Sequence, residues 1–186
     1  MTTYAALLRG VNLGARNRVP MARWRAQLVE LGYTGVVTHL QSGNAVFQAG
    51  VATPAALARD IADALEADLG IRVPVVMRTG PELAHVVAHH PLREVSTDPS
   101  RLIVTFLSHD CDLARLAALA EEDFRPDVHV VDGRELYVWC PLGVSETRLT
   151  AALVERRCGG VATARNWNTV TRLAELSGAE PAGALS

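Results

Sequence analysis

Apolar spacing along this chain gives the same six-element order twice, and that repeat restricts the fold more than any other feature. Residues 3–9 read as a buried strand ending at Gly10. Residues 20–31 read as a helix: Pro20 suits a first turn, Met21, Trp24, Leu28 and Leu31 share a face, and Gly32 ends it. Residues 34–40 and 45–48 read as strands around the turn Ser42-Gly43-Asn44. Thr53-Pro54 opens a second helix with Leu57, Ile61, Leu65 and Leu69 inward, closed by Gly70. Residues 72–78 read as a strand, placed at a sheet edge by Pro74.

After a helix over 81–89 the order returns. Residues 101–107 read as a strand, and 111–121 as a helix with Leu113, Leu116 and Leu119 inward. Residues 127–132 and 135–140 read as a hairpin around Asp132-Gly133, a strong turn pair. A helix over 146–157, a strand over 161–165 and a last helix over 167–177 follow, the last carrying Trp167, Val170, Leu173 and Leu176 on one face. Two successive βαββαβ units imply an α+β protein of two tandem ferredoxin-like subdomains, each an antiparallel sheet with helices on one face. The expected boundaries are 1–79 for the first subdomain, 80–100 for a linking helix and loop, 101–178 for the second with its C-terminal helix, and 179–186 for a flexible tail. The halves share this pattern but no evident residue identity.

Composition narrows the function classes. The chain has 186 residues, 49% hydrophobic and 20% charged, enough for a real core. Its formal net charge is −2, which offers no global field for nucleic acid or acidic membranes. There is no lysine, so Schiff-base chemistry has no amine to use. Cys111, Cys140 and Cys158 are odd in number and not spaced as metal-ligand pairs. No apolar run approaches the ~20 residues of a membrane span, and the first residues lack a basic leader. These features lead to the expectation of a reduced cytoplasmic protein with no cofactor, no metal and no membrane partner.

The five asparagines fall in only three short segments: Asn12 and Asn17 in 9–17, Asn44 in 41–44, and Asn166 and Asn168 in 163–169. A composition that avoids asparagine elsewhere singles these segments out. In a βαββαβ unit the loop after the first strand and the turn between the second and third lie at one end of the sheet. Arg9 to Asn17 is that loop and Gln41 to Asn44 is that turn, so the two are expected to meet. In the second half, Pro141 to Arg148 and Arg165 to Thr169 are likewise expected to share an end.

The first segment runs from a strand through a glycine-containing loop into a helix start. Gly10 and Gly14 match neither the dinucleotide fingerprint nor the P-loop, yet free N–H groups and the positive helix end favour an anion there. Arg9, Arg16 and Arg18 supply charge. The competing reading is that Gly10, Asn12 and Asn17 only shape a tight loop, and that Gln41-Ser42-Gly43-Asn44 is only a hairpin turn. In the third segment Asn166 suits a helix cap and Trp167 a core anchor, while neither role accounts for Arg165 or Asn168.

The strings Leu7-Leu8-Arg9-Gly10-Val11-Asn12-Leu13-Gly14, Asn17-Arg18-Val19-Pro20-Met21, Gln41-Ser42-Gly43-Asn44-Ala45-Val46-Phe47, Val104-Thr105-Phe106-Leu107 and Arg165-Asn166-Trp167-Asn168-Thr169-Val170 closely resemble the bacterial family called domain of unknown function 1697. The resemblance implies a cytosolic protein of two ferredoxin-like subdomains with no established activity, and it carries over no catalytic residues. The chain departs from the family's pattern at Ala15, where glycine is usual, and at Thr147-Arg148, where Ser-Lys is usual. A guanidinium keeps the charge at 148 but is not an ammonium.

Other candidate chemistry is weaker. His85, His89 and His90 share a helix, and His85 and His89 have ligand spacing, but the expectation is a solvated helix end. Cys140 reads as a small core residue rather than a reactive thiol. Ser42 and Thr147 have no nucleophile elbow or evident base. The leading reading is therefore a small anionic ligand, phosphorylated compounds included. It would be bound through Arg9, Asn12, Asn17, Gln41, Ser42 and Asn44, with Arg165, Asn166 and Asn168 in the same or a second site. No proton shuttle is among these groups, so catalysis stays open. The alternatives are single-stranded RNA stacked on Phe106, Tyr137 and Trp139 of an exposed sheet face, or protein assembly through an open sheet edge.

Overall fold

The computed structural model describes residues 1–14 and 17–178. The chain divides into two compact units, one of Met1–His85 with Leu173 onward, the other of Val86–Arg172. The first unit contains β1 (Thr2–Leu8), α1 (Met21–Glu30), β2 (Thr34–His39), β3 (Asn44–Ala49), α2 (Pro54–Leu69) and β4 (Val75–Thr79). Helix α3 (Gly80–Ala88) follows. The second unit contains β5 (Leu102–Leu107), α4 (Leu113–Ala120), β6 (Val128–Asp132), β7 (Glu135–Trp139), α5 (Ala151–Cys158) and β8 (Ala162–Asn166), and α6 (Trp167–Leu176) ends the described chain. The expected tail over 179–186 lies outside the described residues.

Each sheet has four strands, in the order β2-β3-β1-β4 and β6-β7-β5-β8. All neighbours are antiparallel. The first strand of each unit is therefore central and the last lies at an edge, the arrangement of two tandem ferredoxin-like folds. Pro74 sits just before edge strand β4, where its missing N–H costs no ladder bond.

Alternation fixes which face each core covers. In the first unit Tyr4, Ala6 and Leu8 of β1 join Trp24 and Leu28 of α1 and Leu57, Ile61 and Leu65 of α2. In the second, Ile103 and Leu107 of β5 join Leu116 and Leu119 of α4 and Val154 and Cys158 of α5. The opposite sheet faces are apolar too: Ala5 and Leu7 in β1 and Val104 and Phe106 in β5 are fully buried.

Helix ends follow local chemistry. Thr53 caps α2 through the Ala56 N–H, and Gly70 closes it in the left-handed conformation. Helix α5 starts at Ala151, later than the expected 146, because the Thr150 side chain accepts from the Leu153 N–H and fixes the entry there. Residues Val144–Glu146 form a separate 3₁₀ turn. Leu31 and Leu113, expected inward, are exposed at helix ends, and Gln27 is buried on α1 instead.

The repeat extends to single residues. Arg78 of β4 lies opposite Ala5 of β1, and Arg165 of β8 lies opposite Val104 of β5. Both arginines are buried, at 2% and 8% exposure, although long cations are rarely found so. Each sends Nη1 back to the carbonyl of the preceding residue at 2.8 Å, Met77 in one case and Ala164 in the other. Each is followed by a helix cap: Thr79 and Glu82 exchange bonds at the start of α3, and Asn166 holds Thr169 at the start of α6.

Candidate functional site

The loop after β1 and the turn between β2 and β3 meet, as the topology requires. The Asn12 side chain donates to the Gln41 carbonyl at 2.7 Å. It also donates to the Val19 carbonyl at 3.1 Å and accepts from the Val19 N–H at 2.9 Å. Asn17 donates to the Gly10 carbonyl at 3.3 Å, and its own carbonyl accepts from the Asn12 N–H at 3.0 Å. Asn12 and Asn17 are both left-handed, at φ 55° and 50°, a conformation asparagine tolerates better than most residues. The described residues of this loop are thus held by its own carboxamides. Ala15 and Arg16 lie outside the described residues.

The turn is built in the same manner. Asn44 is completely buried and donates to the His39 carbonyl and to Ser42 Oγ, both at 2.9 Å. Gly43 is left-handed at φ 78° and lies against the first strand, where its carbonyl accepts from the Leu8 N–H at 2.8 Å. A Cβ there would stand 2.7 Å from Leu8 Cβ and Val11 Cγ2, so only glycine lets the two segments approach. Leu40 is also left-handed, at φ 60°, and exposed. The segment before β4 joins this end through the Arg9 N–H, which donates to the Pro74 carbonyl at 2.9 Å.

Of the six candidates in this unit, Asn12, Asn17 and Asn44 spend amide groups on backbone and Ser42 supports Asn44, while Arg9 is half-buried and Gln41 exposed. Helix α1 begins beside them, after Pro20, with no side-chain cap and no acidic residue in its first turn. Its first N–H groups keep the positive character of a helix start.

The candidates of the second unit have separate surroundings. Arg165 donates to Thr163 Oγ1 at 2.8 Å, and burial pushes its guanidinium down to about 10. Asn166 Oδ1 accepts from the Thr169 N–H at 3.0 Å and its hydroxyl at 2.9 Å, the capping role its position suggested. Asn168 is exposed in the first turn of α6. Strand exits β7 and β8 share an end: Cys140 N–H donates to the Arg101 carbonyl at 3.0 Å, while Asn166 pairs with Ile103. Arg148 donates to the Asp123 carbonyl at 3.0 Å and lies over the Phe124 ring.

Two expectations change on this geometry. The aromatics considered for base stacking are closed off: Phe106 and Tyr137 are fully buried and Trp139 is 9% exposed. Tyr137 donates to the Val86 carbonyl at 3.4 Å, and the His90 ring stacks on it. The histidines do not all lie in solvent. His85 and His89 are exposed, but His90 packs on Trp167 with ring centroids 4.4 Å apart. Burial, then Arg93, lowers its ionisation. Cys140 is buried as expected, and burial pushes its thiol up to about 11.

The family described as protein of unknown function, DUF1697, matches residues 1–137. The chain belongs to that family. The matched DUF1697 region takes in β1 through β4 of the first unit and reaches into β7 of the second. A solved structure of a conserved bacterial protein from Streptococcus pneumoniae is similar, with a TM-score of 0.78 at 21% identity. The alignment covers 95% of this chain and 98% of that one, which shows a shared fold. No curated protein in the comparison matches this DUF1697 chain. Among the described residues no helix is long and apolar enough to cross a membrane.

Two relationships were missed in the sequence. One is the Arg78–Arg165 equivalence, for which the paired strand-four positions were the available signal. The other is the proximity of Cys111 to Cys158, for which the sequence held none.

Proposed function

We propose that the chain binds a small anionic ligand, phosphorylated compounds included, at the end of the first sheet where loop 9–20, turn 40–43 and segment 70–74 converge. One observation carries this reading. Those segments contain Arg9, Arg16, Arg18 and Arg72 and no aspartate or glutamate, in a chain with 20 acidic residues. Arg72 pairs with Glu66 at 2.9 Å, and Arg9 and Arg18 lie in the loop that leads to the uncapped start of α1. A guanidinium–anion hydrogen bond contributes about 1.5–3 kcal/mol. Asn12, Asn17 and Asn44 then act by holding the loop in shape, and Gln41 by reading the ligand's polar edge. A rigid loop binds an anion with less ordering cost than a floppy one. These segments contain no carboxylate or thiol to move a proton, so the reading is binding rather than catalysis.

Thermal-shift measurements with inorganic phosphate, pyrophosphate and nucleotides at fixed ionic strength test it. The melting midpoint rises with one of these anions, and the rise is lost in Arg9→Ala and Arg18→Ala. A rise that both variants keep, or no rise with any of the anions, ends the proposal. A mass in solution that grows with concentration and ignores every anion would favour assembly through the exposed edges of the sheets instead.

A further inference from the structure

Cys111 and Cys158 are distant in sequence and adjacent in the second unit. Cys111 lies just before α4 and Cys158 is the last residue of α5. The Asp112 N–H donates to the Cys158 carbonyl at 2.8 Å. By covalent geometry this bond holds the two Cα atoms within roughly 7.5 Å, which includes the usual range for a disulfide. Both side chains are buried in one apolar cluster, at 7% and 2% exposure. Both are free thiols. The surroundings are tight: a Cβ on Gly160 would lie 3.0 Å from the Cys111 N–H nitrogen and 2.7 Å from Ser108 Oγ. Ser108 Oγ in turn accepts from the Val161 N–H at 2.7 Å and bonds Asp110. The backbone on each side of the pair is therefore held in place.

We propose that Cys111 and Cys158 form a dithiol centre that a peroxide closes to a disulfide.

The two thiols have unequal roles. Burial raises both, Cys111 to about 12. Arg115 and Arg157 favour the Cys158 thiolate and Asp112 opposes it, whereas Asp110 and Asp112 both oppose that of Cys111, so Cys158 is the more readily ionised of the pair. Cys158 is the attacking sulfur. Its thiolate takes the distal oxygen of hydrogen peroxide, the O–O bond breaks, and the departing hydroxide takes a proton and leaves as water. The Cys111 sulfur then attacks the Cys158 sulfenic acid and loses its proton. The S–O bond breaks and a second water leaves. Two thiols and one peroxide give one disulfide and two waters. Cys140, buried in the same unit beside Asp127 and Thr147, serves as the internal reference.

The experiment treats the native chain with hydrogen peroxide, blocks remaining thiols by alkylation and maps peptides without reductant. The expected product is a peptide pair joined through Cys111 and Cys158, with Cys140 alkylated, reversed by dithiothreitol. Oxidation also raises the melting midpoint, and Cys111→Ser and Cys158→Ser each abolish that rise. A cross-link that includes Cys140 overturns the proposal. So does oxidation of single cysteines to sulfinic acid without a cross-link, or a link that forms only in denaturant. The peptide map on the unsubstituted chain decides the matter even if either serine variant fails to fold.

Discussion

The Asn12 side chain reaches the Gln41 carbonyl at 2.7 Å, tying together residues 29 positions apart. One carboxamide thereby joins the first loop to the hairpin turn and, through Val19, to the approach to α1. Asn12→Ala removes three hydrogen bonds and puts alanine at φ 55°. Urea unfolding should show a loss of about 2–4 kcal/mol. Asn12→Gly relieves the backbone cost and should recover part of that loss. Gln41→Ala keeps the carbonyl and should stay within about 0.5 kcal/mol of the parent.

Gly43 and Gly10 separate crowding from conformation. Both are left-handed, at φ 78° and 66°, but only Gly43 has neighbours where a Cβ would stand. Gly10→Ala should cost about 1–2 kcal/mol, the conformational penalty alone. Gly43→Ala should cost more, by about 1–3 kcal/mol of overpacking against Leu8 and Val11. Denaturant midpoints of the two variants give the comparison.

His90 makes stability depend on pH. Its Nδ1 accepts from the Leu92 N–H at 3.3 Å, so Nε2 carries the proton and donates to Ser96 Oγ at 2.9 Å. A second proton on Nδ1 would face a donor. The folded ring titrates below its unfolded value of about 6.5, so the unfolded chain binds more protons between the two values. The contribution is present above about pH 6.5 and is lost as pH falls through the folded value. Urea midpoints measured from pH 7.5 down to 5 should fall, and His90→Gln should flatten the slope.

The equivalent arginines should be equally intolerant of loss. Arg78→Ala and Arg165→Ala each leave a void and abandon a carbonyl acceptor, at a cost of about 2–4 kcal/mol. Arg59→Ala, on the exposed side of α2, should stay within about 0.5 kcal/mol. Parallel urea titrations of the three variants test this.

The fold was legible because periodicity carries it. Leu57, Ile61 and Leu65 recur at helical spacing, and the strands of both units alternate or run apolar between turn residues. Errors gathered at helix ends, where one side-chain bond outweighs the pattern, as Thr150 does for α5. The convergence of Arg9–Asn17 with Gln41–Asn44 was also legible, since antiparallel pairing of β1 with β3 forces it. What Asn12, Asn17 and Asn44 do there was not. A carboxamide that folds its own loop and one that faces a ligand look alike in sequence, and only the positions of the Val19, Gln41, Gly10 and His39 carbonyls separate them.

The sequence alone therefore determined the two βαββαβ units, their cores and the end of the sheet where the polar segments collect, because local spacing and strand direction are chain-local properties. Tertiary structure alone decided that the RNA platform is buried, that Arg78 and Arg165 are counterparts, and that Cys158 lies beside Cys111. Those are matters of which surfaces and carbonyls meet across long separations, and packing settles them.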